Sequence, residues 1–147
     1  MKSLMTSFRL LTSTFAISLA TVPAWAGTPA PAAQLSLELN AAQRSDKGCR
    51  LTFVVNNALG VDLSKAAFEI ALFNEAGVVD RLTVLDFKDL PAGKTKVTRF
   101  DLAGPDCGKL SRVLINSATE CAGTGVDAAA CMRALKTSTK TGIAFGV

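Results

Sequence analysis

Apolar side chains in this chain recur at every second position over short stretches, a spacing that collects them on one face of a β-strand and that a helix would scatter. In "CRLTFVVN" Cys49, Leu51, Phe53 and Val55 point one way, while Arg50, Thr52 and Asn56 point the other. Leu35, Leu37 and Leu39 repeat the pattern, as do Phe68, Ile70 and Leu72. "NEAG" then offers a four-residue turn with Gly77 free to take a positive φ, and "VVDRLTVLDF" returns as the second arm of a hairpin. Its apolar phase slips between Val84 and Leu85, which predicts a bulge there. "KVTRFDL" follows the Pro91 and Gly93 turn, and "KLSRVLIN", apolar on both faces, reads as a central strand. A final strand is expected in "KTGIAFGV", making seven.

Strands this short, separated by turn signals, favour an all-β fold: an immunoglobulin-like antiparallel β-sandwich. The exception is "TGVDAAACMRALK". Thr124 and Asp127 make a capping-box-like start there, and Ala128, Cys131 and Leu135 share a helical face, so one short helix is predicted before the last strand.

Residues 1–26 stand apart from this pattern. Lys2 and Arg9 precede an apolar run that ends in Ala24-Trp25-Ala26, a small-x-small site, so the segment reads as a secretory signal peptide. The run is shorter than the ~20 residues a membrane span needs. With the first Cys at position 49, neither a lipid anchor nor a membrane span is expected, and the chain is placed in the periplasm or outside the cell. "GTPAPAA" at 27–33 reads as a flexible lead-in, and residues 34–147 as a single domain. Of the 16 basic residues, Lys2 and Arg9 fall in the leader, leaving 14 against 12 acidic ones. So balanced a surface carries no nucleic-acid footprint. The four cysteines form an even set in an exported small domain and predict two disulfides.

The hairpin region carries a resemblance as well. Ile70-Ala71-Leu72-Phe73-Asn74 followed by Gly77-Val78-Val79, with the "LPAGKT" turn further on, resembles the F-x-L-Y-D strand and turn of the FxLYD-type secreted modules. Ile70, Phe73 and Asn74 stand where that family has Phe, Tyr and Asp, and the similarity covers about residues 50 to 100. The chain also resembles exported alphaproteobacterial proteins known by little more than their export signal. The resemblance implies an immunoglobulin-like sandwich without catalysis. Cys107 and Cys121 bracket a strand that spans roughly 26 Å at ~3.3 Å per residue, against the ~7 Å within which bridged Cα atoms lie, so they are not partners. In an immunoglobulin-like order the second strand, starting near Cys49, runs antiparallel to the fifth, ending near Leu102. Cys49 is therefore expected to pair with Cys107, and Cys121 with Cys131.

The chain contains no His, which removes Ser-His-Asp and Cys-His arrangements and the commonest general base. A Ser-Lys nucleophile would need S-x-x-K, and none occurs. "AGKT" at 92–95 lacks the first Gly of a phosphate loop, since Lys88 stands there, and it joins two strands. Asp86 with Asp89, and Asp101 with Asp106, have the spacing of paired carboxylates or Ca²⁺ ligands, but each pair flanks a turn where Asp ordinarily bonds backbone N–H groups. Lys94, Lys96 and Arg99 read as a solvated strand face that discourages edge pairing. No metal and no cofactor are expected: no two cysteines are spaced C-x-x-C, and Met is scarce.

Phe73, Leu85 and Phe87 break the alternation of their strands and are predicted to face outward as a partner surface. The expected function is that of a non-enzymatic, disulfide-stabilised interaction or structural module of the bacterial envelope, binding another envelope or secreted protein. The alternative is a periplasmic carrier of a small apolar ligand held between the sheets or beneath the helix. N-terminal sequencing of the exported protein should begin at Gly27; recovery of Met1, or extraction only with detergent, would contradict the export reading.

Overall fold

Two sheets are built from eight strands in the computed structural model, which describes residues 30 and 32–147. The expected export signal and most of the lead-in lie outside the described residues. The first sheet has the order β5-β2-β1-β7, from β1 (Gln34–Ser45), β2 (Gly48–Ala58), β5 (Thr95–Ala103) and β7 (Leu135–Thr139). The second has the order β4-β3-β6-β8, from β3 (Leu63–Asn74), β4 (Val79–Leu90), β6 (Leu110–Gly123) and β8 (Ala144–Gly146). Helix α1 (Ala128–Ala134) sits between β6 and β7, and a 3-10 turn over Cys107–Lys109 precedes β6.

The two-residue period produces the core directly. Leu35, Leu37 and Leu39 of β1 and Cys49, Leu51, Phe53 and Val55 of β2 are fully buried on one face of the first sheet. Phe68, Ile70 and Leu72 of β3, Leu85 and Phe87 of β4, and Val113 and Ile115 of β6 meet them from the second. Phe53 lies edge-on or tilted to Phe87, Phe100 and Phe145 with centroids 5.5–6.0 Å apart, the geometry aromatic quadrupoles prefer.

The sheets are mixed, whereas a wholly antiparallel sandwich of seven strands is the sequence expectation. Through β6 the order is immunoglobulin-like, β5-β2-β1 matching E-B-A and β4-β3-β6 matching C′-C-F. The departure follows β6. The chain turns through α1, capped by the Asp127 carboxylate, which accepts from the Ala130 N–H, and Leu135 leaves the helix in an extended conformation. β7 then pairs parallel to β1, from Leu35 opposite Leu135 to Leu39 opposite Thr139. The outer edge of β6 receives only the three residues of β8, also parallel. "LKTST" has no apolar alternation, so nothing in its own pattern announces a strand.

Disulfides tie this path down. Cys49 at the start of β2 is bonded to Cys107 in the turn before β6, and Cys121 near the end of β6 is bonded to Cys131 in α1. At the opposite end of β2, Asn57 is almost wholly buried. Its amide donates to the carbonyls of Val61 (2.9 Å) and Leu90 (2.7 Å), while its Oδ1 accepts from the Leu59 N–H. Its backbone also bonds Gly93 and Lys94, so one side chain and its peptide groups hold the β2–β3 loop, the end of β4 and the turn into β5.

The β3–β4 hairpin closes where expected. Gly77 takes φ 74°, and the Asn74 carboxamide accepts from the N–H groups of Ala76 and Val78. The bulges, however, lie elsewhere. Val84 and Leu85 pair in unbroken register with Glu69 and Phe68, and the three shifts fall beside Asp80, at Phe87 and where Ser64 and Lys65 oppose Asp89. Both faces of β4 carry apolar residues, and that, instead of an inserted residue, explains the apparent slip of phase. The second bulge holds Lys88 at φ 65°, with its N–H and Nζ both donating to the Asp86 carboxylate. These hydrogen bonds lower the Asp86 pKa below the ordinary carboxylate value.

Two measurements probe these joints. Asn57→Ala strands two buried carbonyls and an N–H, and should cost about 2–3 kcal/mol in the denaturant unfolding free energy. At position 88, Lys88→Val forces a β-branched residue into left-handed backbone and should be less stable than Lys88→Gly by about 1–2 kcal/mol; equal midpoints would show that the bulge carries no such strain.

Candidate interaction surface

The two outer faces of the sandwich differ in chemistry. On the first sheet Arg50 donates through two nitrogens to the Asp101 carboxylate at 2.9 and 3.2 Å, and Asn56 bonds Thr95. The hydrogen bond from Arg50 lowers the Asp101 pKa below the ordinary carboxylate value. Glu38 lies 4.0 Å from Lys140, and Arg99 is exposed; the exposed Val97 pairs with the half-buried Val54 among them, a two-residue apolar contact within a polar face. This is an ordinary solvated face.

The outer face of the second sheet carries an apolar strip instead. Residues paired across strands share a face, so the register defines its rows. Val79, Phe73, Arg112 and Ala144 form one row across β4, β3, β6 and β8; Leu82, Ala71, Leu114 and Gly146 form the next. Val84, Glu69 and Ser117 form the third, where Asn116, at the register shift of β6 beside Ser117, donates its amide to the Glu69 carboxylate. Val79, Leu82 and Val84 are 48%, 55% and 50% exposed, a clustering of large apolar groups on one strand that sets this face apart from the scattered apolar residues of an average surface. Arg112 stacks over the Phe73 ring at 5.5 Å, closing one end of the strip with a cation.

This placement corrects the predicted partner surface. Leu85 and Phe87 are core residues, 2% and 1% exposed, packed against Phe68 and Phe53. Phe73 alone of the three lies on the outer face. With apolar residues on both sides of β4, alternation identifies two sets but not which set is inside. The larger pair, Leu85 and Phe87, takes the core, and Val79, Leu82 and Val84 are left outside.

The four Asp residues that suggested chemistry are engaged within the chain. Asp86 holds Lys88, Asp89 accepts from Lys96, Asp101 holds Arg50, and Asp106 caps the Gly108 N–H and meets Arg44. Among the described residues no group of three or more His, Cys, Asp or Glu side chains is arranged to hold a metal ion. "AGKT" is a turn, with Gly93 at φ 71° and the Lys94 N–H donating to Pro91. A depression of about 600 Å³ lined by Asp62, Ser64, Asp89 and Thr124 together with Leu63 and Pro91 opens broadly to solvent, and the space between the sheets is filled by the Phe53 cluster. An apolar groove of about 350 Å³ lies beneath α1, lined by Leu59, Val126, Ala130 and Ala134.

Lys96 has a role that its reading as a solvated charge misses. It stands in phase with Thr98, Phe100 and Leu102, the inward side of β5, and its Nζ donates to the carbonyls of Phe87 and Asp89 on β4. Arg81 of β4 returns the tie by donating to the Ala103 carbonyl of β5. A Cβ on Gly104 would come within 2.8 Å of the Arg81 guanidinium, so the glycine makes room for it. The inward phase of a lysine on an edge strand was the available sequence signal.

No helix among the described residues is long and apolar enough to cross a membrane. No protein-family model, curated protein or solved structure matches the chain.

Proposed function

We propose that the protein is a non-enzymatic, exported interaction module of the bacterial envelope that engages a protein through the outer face of its second sheet. The observation that carries this reading is the contrast between the two outer faces: one satisfied by ion pairs and hydrogen bonds, the other presenting Val79, Leu82 and Val84 half-exposed around Ala71, Leu114 and Phe73. Apolar strips rimmed by charge mark protein contacts. Two disulfides fit an oxidising compartment such as the periplasm or the extracellular space. The lack of His and the engagement of the four candidate carboxylates argue against hydrolytic chemistry, and the resemblance of residues 70–79 to FxLYD-type modules points the same way.

Photo-crosslinking in cells tests the reading. A photoreactive residue in place of Leu82 should give a discrete protein adduct, while the same residue in place of Arg99 on the first sheet should give none. Equal labelling at both positions, or none at 82, would contradict the assignment.

A further inference from the structure

Resting on that reading, the geometry points to a second copy of this chain as the occupant of the face: we propose that the protein self-associates through an isologous, face-to-face contact of the β4-β3-β6 surface, with strands of the two copies antiparallel. The charges at the ends of the strip select this arrangement. Arg112 lies in the row of Phe73 and Glu69 four residues further back along β3, about 13 Å away at ~3.3 Å per residue, with Ala71 and Leu114 midway. Neither Arg112 nor Glu69 forms an ion pair with another described residue.

A two-fold axis lying in the contact plane, along the Leu82–Ala71–Leu114 row and across the strands, superposes the first row of one copy on the third row of the other. Arg112 then meets the Asn116–Ser117 step of β6, where the Asn116 amide holds the Glu69 carboxylate toward β6. Val79 meets Val84, and Leu82 meets Leu82. The alternative axis, along the strands, sets Arg112 against the Arg112 row and Glu69 against the Glu69 row, juxtaposing like charges. Charge complementarity therefore favours antiparallel strands. The face is also self-complementary in shape: Ala71, Ala144 and Gly146 keep its centre and far edge low, while Val79, Leu82 and Val84 supply bulk along β4. Three strands at ~4.8 Å spacing and three rows make a patch smaller than the ~800 Å² per partner of a standard interface, so dissociation is expected in the micromolar range or weaker.

Sedimentation equilibrium of the purified, oxidised chain tests the proposal. The wild type should show concentration-dependent dimerisation. Arg112→Glu and Glu69→Arg should each weaken it about tenfold or more. An equimolar mixture of the two variants should recover dimer, because the mixed pair restores opposite charges at both contacts. That recovery also shows that both variants are folded. A wild type that stays monomeric at high concentration would overturn the proposal, as would a dimer indifferent to both substitutions or a mixture that fails to recover. A monomeric chain whose Leu82 photoreactive variant still captures a different protein would sink self-association and leave the interaction surface standing. No adduct at 82 of any kind would sink both.

Discussion

Phe53 packing across the space between the sheets is the contact on which the rest of the fold depends. Its ring meets Phe87 of β4, Phe100 of β5 and Phe145 of β8, so one side chain of a central strand touches three of the four edge strands. Phe87 in turn meets Phe68 and Phe100. A one-residue slip of β2 against either neighbour would turn Phe53 and its companions Leu51 and Val55 to solvent and bring Thr52 and Val54 inside. The register of the first sheet and the seating of the second on it are therefore a single decision. Burial of aromatic surface at roughly 25 cal/mol per Å² supplies the energy that makes the slip prohibitive.

Around this centre the two ends of the sandwich are closed by different means. At one end the buried Asn57 gathers three loops by hydrogen bonds. At the other, the Cys49–Cys107 bond joins the start of β2 to the turn before β6. On the chain-entropy account its 58-residue separation is worth about 4 kcal/mol, against about 3 for the ten-residue Cys121–Cys131 link. The shorter bond has the more local task. It fixes α1 against the end of β6 at the point where the chain must swing to the first sheet, and so it directs β7 to β1. The open side between β4 and β5 is laced by Lys96 and Arg81, each donating to carbonyls of the other's strand.

How much of this was legible follows from which residues carry unambiguous patterns. The runs Leu35–Leu39, Cys49–Val55 and Phe68–Leu72 of β1, β2 and β3 carry their large apolar residues at alternate positions, and their core faces in the structure are the ones alternation assigns. Asp127 at the helix start and Gly77 in the hairpin are signals of local chemistry that act within a few residues. Illegible features depend on partners far along the chain. β7 exists because β1 offers it hydrogen bonds a hundred residues away, and the parallel pairings follow from the path through α1. The inside and outside of β4 were undecidable because Leu82 and Val84 compete in hydrophobicity with Leu85 and Phe87; pairing with Phe68 and contact with Phe53 decide it. The predicted surface of Phe73, Leu85 and Phe87 therefore placed Phe73 on the outer face correctly, but took from β4 the inward pair and not Val79, Leu82 and Val84.

An exposed apolar edge strand invites uncontrolled strand-to-strand pairing, and β4 shows how a usable face can be kept without that hazard. Bulges beside Asp80 and at Phe87 bracket the stretch that carries Leu82 and Val84, and the left-handed Lys88 breaks the strand's regularity beyond it. Bulges twist and interrupt an edge, so the length available for adding a foreign strand is short. The charged neighbours Asp80 and Arg81 sit at one end and the Asp86–Lys88 pair at the other. Hydrogen bonding along the edge is thereby discouraged, while the apolar side chains, which project from the face and not from the edge, remain presented. On the proposed reading, a partner packs its surface onto the sheet, where shape and the charges of Arg112 and Glu69 discriminate, and is kept away from the backbone, where any extended chain would do.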